Sequence, residues 1–305
     1  MESILPSRLA WQGARTKSTV TVVQALTLAL LQGVSELFPI SSLGHTILIP
    51  ALLGWHSIDR SAPSFLSFVV ALHFGTALAL VVFYRKQWLR ITRALFTSVA
   101  RGKLSGDRDE RVGWLLVVGT IPVGLLGLLL EHPVRKLFGS ASFAAIFLMI
   151  NGVVMFAGEW LRQRQRVRLN REDRPIDQLS FAQGALVGFG QSFALLPGIS
   201  RSGASIVAAL LCDLDHEDAA EFSFLLATPV IAAAALLELP KLLMPAAHAT
   251  LILAGVGAIV SGIAAYGSVA FLTRYFRTND LRPFGWYCVL FGTLCFTLAR
   301  LGVIH

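Results

Sequence analysis

An all-α polytopic membrane protein is the fold class this sequence predicts, with about six transmembrane helices and two re-entrant helical hairpins in an inverted-topology repeat. Three observations carry the prediction. Of the 305 residues, 55% are hydrophobic and only 14% are charged, and the mean hydropathy is +0.67; that leaves too little polar surface to cover a water-soluble globule. Several apolar stretches approach the roughly 20 helical residues that cross a hydrocarbon core of about 30 Å. Finally, residues 32–44, QGVSELFPISSLG, return at 191–203 as QSFALLPGISRSG, pairing Gln32 with Gln191, Leu37 with Leu196, Ile40 with Ile199, Ser41 with Ser200 and Gly44 with Gly203 without a gap.

Charge orients the elements. Seventeen of the 26 Lys and Arg residues fall in three clusters, from Arg85 to Arg111, Arg162 to Arg174 and Arg274 to Arg282. Basic residues in short loops between apolar spans mark the cytoplasmic side, so the net charge of +8 reports topology and argues against a nucleic-acid partner. The segment 19–58 then leaves and regains the outer face, broken by Pro39 and Gly44. Residues 63–84 run inward, 112–130 outward and 139–160 inward. The segment 181–212 begins and ends inside, broken by Pro197, Gly198 and Gly203, and 221–240, 249–273 and 284–303 follow outward, inward and outward. Arg8, Arg15 and Lys17 fall outside, against the same rule.

Interrupted helices at membrane depth are tolerated only inside protein or beside a watery cavity. The two broken segments therefore read as hairpins whose tips meet near the midplane. A second match supports the duplication: FLSFVVALHFGTALAL at 65–80 lies over FSFLLATPVIAAAAL at 222–236, with Ser67 over Ser223 and Phe68 over Phe224. The whole chain, 1–305, is expected to be one integral membrane domain with repeat halves at about 19–130 and 181–273, an arrangement that places a binding site between the halves. Cys212, Cys288 and Cys295 show neither metal spacing nor a disulfide framework and read as packing residues.

Ionisable groups inside a bilayer cost about 2.5–3.5 kcal/mol each, so each one needs a reason. Glu36, His45 and Arg201 lie in or beside the tips, with Ser41, Ser42, Ser200, Ser202 and Ser205. One reading is a pair, Glu36 with Arg201, that only locks the hairpins together. The other is an anion site: in PGISRSGAS, hydroxyls and backbone amides can surround a phosphate while the guanidinium takes two of its oxygens. Gly44 and Gly203 allow close approach in both tips, and a half-helix N-terminus adds positive potential. Ser42 and His45, three apart, place a base one turn from a hydroxyl. His73 is expected to line the pocket, Glu221 to brace Arg201 or a metal, and Glu159 to be interfacial. The acidic run Asp213, Asp215, Glu217, Asp218 reads as a solvated turn, and the small residues of 255–267 as a helix-packing face, within the chain or across a homodimer.

These residues resemble a known family. QGVSELFPISSLGH looks like the (E/Q)xxxE and P-x-S-S-x-G-H signature, LLPGISRSGASI like the P-G-x-S-R-S-G-A-[ST] signature, and AEFSFLLATP like the E-F-S-F-L-L-A-x-P stretch, of the undecaprenyl-diphosphatase (bacitracin-resistance) family. The resemblance implies a multi-pass enzyme of the bacterial plasma membrane. It would remove the terminal phosphate of undecaprenyl diphosphate, a polyprenyl diphosphate lipid, and use a divalent cation, Mg²⁺ or Ca²⁺. Carried over, Glu36 matches the second acid, Ser42 the proposed nucleophilic or hydroxyl-donating serine, with water as the alternative nucleophile, His45 the proposed base and Arg201 the pyrophosphate-binding arginine. Ser41, Ser200, Ser202 and Gly203 match the surrounding hydroxyls and the phosphate-loop glycine. Gln32 stands where many members have the first Glu, so Glu36 and Gln32 are the implied metal residues, and Leu43 replaces a frequent Thr. The architecture alone suits a transporter or flippase of a phosphorylated polyprenyl lipid equally well; a nucleophile separates the two.

Overall fold

Helix starts are written in matched caps. Thr21 and Gln24 form a capping box before the first helix, α1 (Val22–Ser35), and Ser180 with Gln183 forms the same box before α7 (Phe181–Ser192). The two boxes lie the same distance apart in the chain as Ser41 and Ser200, which cap α2 (Ser42–Leu52) and α8 (Arg201–Leu211) by accepting the amides of Gly44 and Gly203. Such caps stabilise a helix start by about 1 kcal/mol each. The computed structural model describes residues 20–55, 63–135, 140–170, 172–240 and 248–304; Arg8, Arg15 and Lys17 lie outside that set.

The other helices are α3 (Pro63–Phe83), α4 (Arg85–Arg101), α5 (Arg108–Arg135), α6 (Ala141–Leu169), α9 (His216–Glu238), α10 (His248–Tyr275) and α11 (Arg282–Arg300). Among the described residues there is no strand. Five helices, α3, α5, α6, α9 and α10, are long and apolar enough to cross a membrane. The expected sixth, α11, is not among them: Arg282 and Arg300 close its ends, and Trp286, Tyr287, Thr293 and Thr297 dilute its apolar run. α1, α2 and α8 are short apolar helices.

The basic stretch after α3, expected as a loop, forms the helix α4. Its residues are mostly good helix formers, and Ile91 and Leu95 give it an apolar side that joins the core beside α5.

α10 packs along α1 and α3, α5 packs along α7 and α9, and α6 lies against α11, α2 and α8. Close approach depends on missing side chains. A Cβ on Gly33 would strike the Ser261 carbonyl, and one on Gly188 would strike the Gly119 backbone. Within the small-residue run of α10, Gly257 faces Leu72 and Gly262 faces the Gly75 backbone, whereas Gly255 and Gly267 meet open space. Large apolar side chains such as Leu125, Leu129, Ile252, Ile259, Ile263 and Leu290 stay exposed, as lipid-facing positions must.

Candidate active site

Each tip is a helix end, a short irregular turn and a new helix start. α1 stops at Ser35 ahead of Pro39, and α2 begins after Ser41, whose φ of 69° is unusual for a residue with a side chain. α7 runs into a 3-10 turn at Phe193–Leu195, and α8 begins after Pro197, Gly198 and Ser200. Gly198 has φ 109°, and a Cβ there would strike the Ala144 carbonyl and Leu148 amide of α6. The tips touch one another. A Cβ on Gly44 would lie 3.1 Å from Gly198 Cα, one on Gly203 would lie 3.3 Å from Pro39 Cβ, and the Ser202 hydroxyl donates to the Phe38 carbonyl at 3.1 Å. Two helix N-termini, those of α2 and α8, thus converge, and their partial positive charges favour an anion between them.

Glu36 is the hub of this contact, and its side chain is only 6% exposed. Its Oε2 accepts the Ser42 hydroxyl at 2.6 Å and Gln32 Nε2 at 3.0 Å, and lies 3.2 Å from His73 Nε2. Its Oε1 accepts Arg201 Nη2 at 3.1 Å and Nε at 3.2 Å. Five donors meet one carboxylate, which has about four lone-pair positions. Arg201 also donates through Nη1 to the Ser223 carbonyl at 3.2 Å. His73 Nδ1 lies 2.9 Å from the Val69 carbonyl; a carbonyl only accepts, so Nδ1 carries a proton and Nε2 shares a second one with Glu36. His73 is therefore more than a lining residue.

The remaining hydroxyls build the tips. Ser41 and Ser200 cap, Ser200 Oγ lies 3.1 Å from Ser202 Oγ, and Ser205 donates to the Arg201 carbonyl at 2.7 Å and lies 2.6 Å from Ser223 Oγ. His45 is turned away from Ser42. Its Nδ1–H faces the Ser41 carbonyl at 2.7 Å, leaving Nε2 to accept the Tyr287 hydroxyl at 2.7 Å, and its ring packs beside those of Tyr287 and Phe291, which also touch each other. Glu36, not His45, stands beside the Ser42 hydroxyl.

Two other expectations fall differently. Glu221 accepts Gln87 Nε2 at 2.8 Å and does not reach Arg201. Glu159 is buried, bound to His216 at 2.8 Å and to the Leu281 amide at 2.9 Å, because its carboxylate closes the start of α11. The acidic turn is partly paired: Asp215 caps α9 and Glu217 meets Arg277 at 3.0 Å.

A model of the family described as bacitracin resistance protein BacA matches residues 25–294. The chain belongs to the BacA family. Its curated relatives include undecaprenyl-diphosphatase 2 of Frankia alni, 42% identical with 90% of this chain and 97% of the relative aligned, and undecaprenyl-diphosphatase 2 of Chromobacterium violaceum, 46% identical over 90% and 98%. The undecaprenyl-diphosphatase of Acidiphilium cryptum is 46% identical over 93% of this chain and the whole of that protein.

In this member of the BacA family, sequence reading passed over Asn151. Its Nδ2 donates to the Pro39 carbonyl at 2.9 Å and its Oδ1 accepts the Ser200 amide at 3.0 Å, so one amide clamps both tips from α6. An isolated Asn within the apolar run IFLMINGVVMF was the available signal. Asn151→Ala is expected to leave a buried carbonyl and a buried amide unpaired, at about 1–3 kcal/mol each. The measurement is a thermal melt in detergent beside the turnover rate: both should fall, and a variant equal to wild type in both removes the clamp. Tyr287, the partner of His45, gave no signal of its own in the sequence.

Proposed function

We propose that this protein hydrolyses undecaprenyl diphosphate to undecaprenyl phosphate and inorganic phosphate, returning the lipid carrier to cell-wall synthesis in the bacterial inner membrane. One observation carries the reading: a single carboxylate, Glu36, holds a hydroxyl from the first tip and a guanidinium from the second. A structural ion pair alone would need no serine at 2.6 Å. In the reaction, Arg201 and the amides at the two helix starts take the charge on the diphosphate oxygens. The Ser42 oxygen attacks the terminal phosphorus as its proton passes to Glu36, which His73 and Gln32 hold in position. Undecaprenyl phosphate leaves with the proton from Glu36; water then attacks the seryl phosphorus, its proton passing to Glu36 and on to the Ser42 oxygen as inorganic phosphate departs. Phosphoryl transfer depends mainly on positioning and charge stabilisation, which these groups supply.

We read the architecture as an inverted-topology repeat with two re-entrant hairpins. The matched capping boxes, the matched tip serines and the reciprocal packing of α1 on α10 and α7 on α5 support it. The prenyl tail has an apolar path. A cavity of about 970 Å³ between α3, α9 and α10 is lined by Ala71 and Phe74, which flank His73 in the chain, and by Leu78, Leu236 and Ile263. The open face of α10 at Gly267, outside that cavity, is where we place a homodimer contact.

A divalent cation fits this site only as a companion of the substrate. Among the described residues no group of three or more His, Cys, Asp and Glu side chains could hold a metal. Gln32 Oε1, buried and without a hydrogen-bond partner, would be one ligand, and Glu36 Oε1 the second once Arg201 turns from it to the phosphates. Mg²⁺ is commonly held this way, by one or two protein oxygens plus phosphates. Bound there, Mg²⁺ or Ca²⁺ would neutralise diphosphate charge. The test is phosphate release from undecaprenyl diphosphate by purified protein in detergent, where no compartment exists for transport. We expect turnover with Mg²⁺ and at least about tenfold less with a chelator. Binding without release would favour the transporter reading, and turnover indifferent to chelation would remove the cation.

A further inference from the structure

α4 carries two apolar faces, and only one is used inside the protein. Ile91 is fully buried and Leu95 packs onto Gly113 of α5. The other face keeps Leu89, Phe96 and Val99 exposed at 72%, 71% and 66%. Seven and three residues apart, they form one stripe along the helix. Cations surround it. Arg90 and Arg101 are paired with Asp109 and Glu110. Arg85, Lys86, Arg93 and Lys103 are exposed, and no acidic partner reaches them among the described residues. Because α4 joins the end of one membrane-crossing helix, α3, to the start of another, α5, it sits at the membrane boundary.

Behind this stripe runs an apolar groove of about 550 Å³, lined by Trp88, Leu95, Val117, Ile121 and Leu125 and closed by Pro229 of α9. Along α5 it extends from Gly113 to Leu125, roughly 18 Å at 1.5 Å per residue, the length of an acyl chain. Gly124 leaves it open, since a Cβ there would meet nothing within 4 Å. Trp88 contributes the groove's polar anomaly: its indole N–H is buried and has no acceptor among the described residues. A buried donor without an acceptor is costly unless a ligand brings one.

We propose that α4 and this groove form a binding site for an anionic glycerophospholipid, separate from the hydrolytic centre. One acyl chain fills the groove, its ester carbonyl accepts the Trp88 N–H, and the headgroup phosphate lies beside Arg85 and Lys86, within a turn of Trp88 at the start of α4. Leu89, Phe96 and Val99 enter the surrounding lipid. Cationic amphipathic helices bind anionic surfaces by this combination of apolar burial and charge.

The test is native mass spectrometry of the full-length protein after equilibration with equal amounts of phosphatidylglycerol and phosphatidylcholine of identical chains. Wild type is expected to retain phosphatidylglycerol several-fold over phosphatidylcholine. The double variant Arg85→Gln/Lys86→Gln should show a ratio near one, and the single variants Arg85→Gln and Lys86→Gln should each lower it, which keeps the test decisive where the double variant fails to fold. Trp88→Phe should keep the preference yet lose several-fold of the retained lipid of either kind. Equal retention of both lipids by wild type, or an unchanged ratio in the charge variants, overturns the site. Unchanged retention by Trp88→Phe overturns the carbonyl contact.

Discussion

Arg201→Ala protein, purified in detergent, is expected to release phosphate from undecaprenyl diphosphate about a thousandfold more slowly than wild type, with the fold retained. The magnitude follows from what the side chain does. Its guanidinium is mostly buried, in a site where two helix starts converge and little water screens the charge. A preorganised positive group at a transferring phosphoryl lowers the barrier by several kcal/mol; removing one such donor costs about 10²–10³ in turnover, and an arginine on a phosphoryl group about 10³–10⁵. Lys in its place keeps the charge but loses the two-pronged contact now made by Nε and Nη2, so Arg201→Lys should recover only part of the rate. Single-turnover phosphate release measures both, and an Arg201→Ala enzyme with near-normal turnover sinks the assignment.

Glu36→Gln is the second large effect, and it separates chemistry from stability. Loss of the base that faces Ser42 should slow hydrolysis by about 10²–10⁴. The same change strips the buried Arg201 of its counter-charge, and breaking one side of a buried pair destabilises by about 3–5 kcal/mol. A lowered melting temperature is therefore expected beside the lost rate. The double variant Glu36→Gln/Arg201→Gln removes both charges and should regain most of the stability while staying inactive. Thermal melts and phosphate assays on the single and double variants check this. If the double variant is no more stable than Glu36→Gln, the pair is not the stability element described.

The two broken segments were legible because their breaks are local. Pro39, Pro197 and Gly198 cannot continue a helix whatever surrounds them, and the expected segments 19–58 and 181–212 contain α1 with α2 and α7 with α8. Glu36, Ser42 and Arg201 were legible because charge and hydroxyls in an apolar chain need partners. The aim of His45 was not. Three residues from Ser42, it could face either way, and rings on α11, Tyr287 and Phe291, decide its orientation. His73 was placed too modestly for the same reason: its contact with Glu36 joins separate helices and depends on how α1 and α3 lie together. α4 was hidden by its charges, which report membrane sidedness whether the segment is a loop or a helix.

The bond between Glu36 and Arg201 gives the guanidinium a resident counter-ion. On the proposed mechanism a headgroup binds by exchange, its oxygens taking the place of the carboxylate at the moment that carboxylate becomes free to accept a proton. The swap also runs backward. On the same proposal, once both products have formed Glu36 can reclaim Arg201 and displace phosphate from it, so one interaction serves both binding and release.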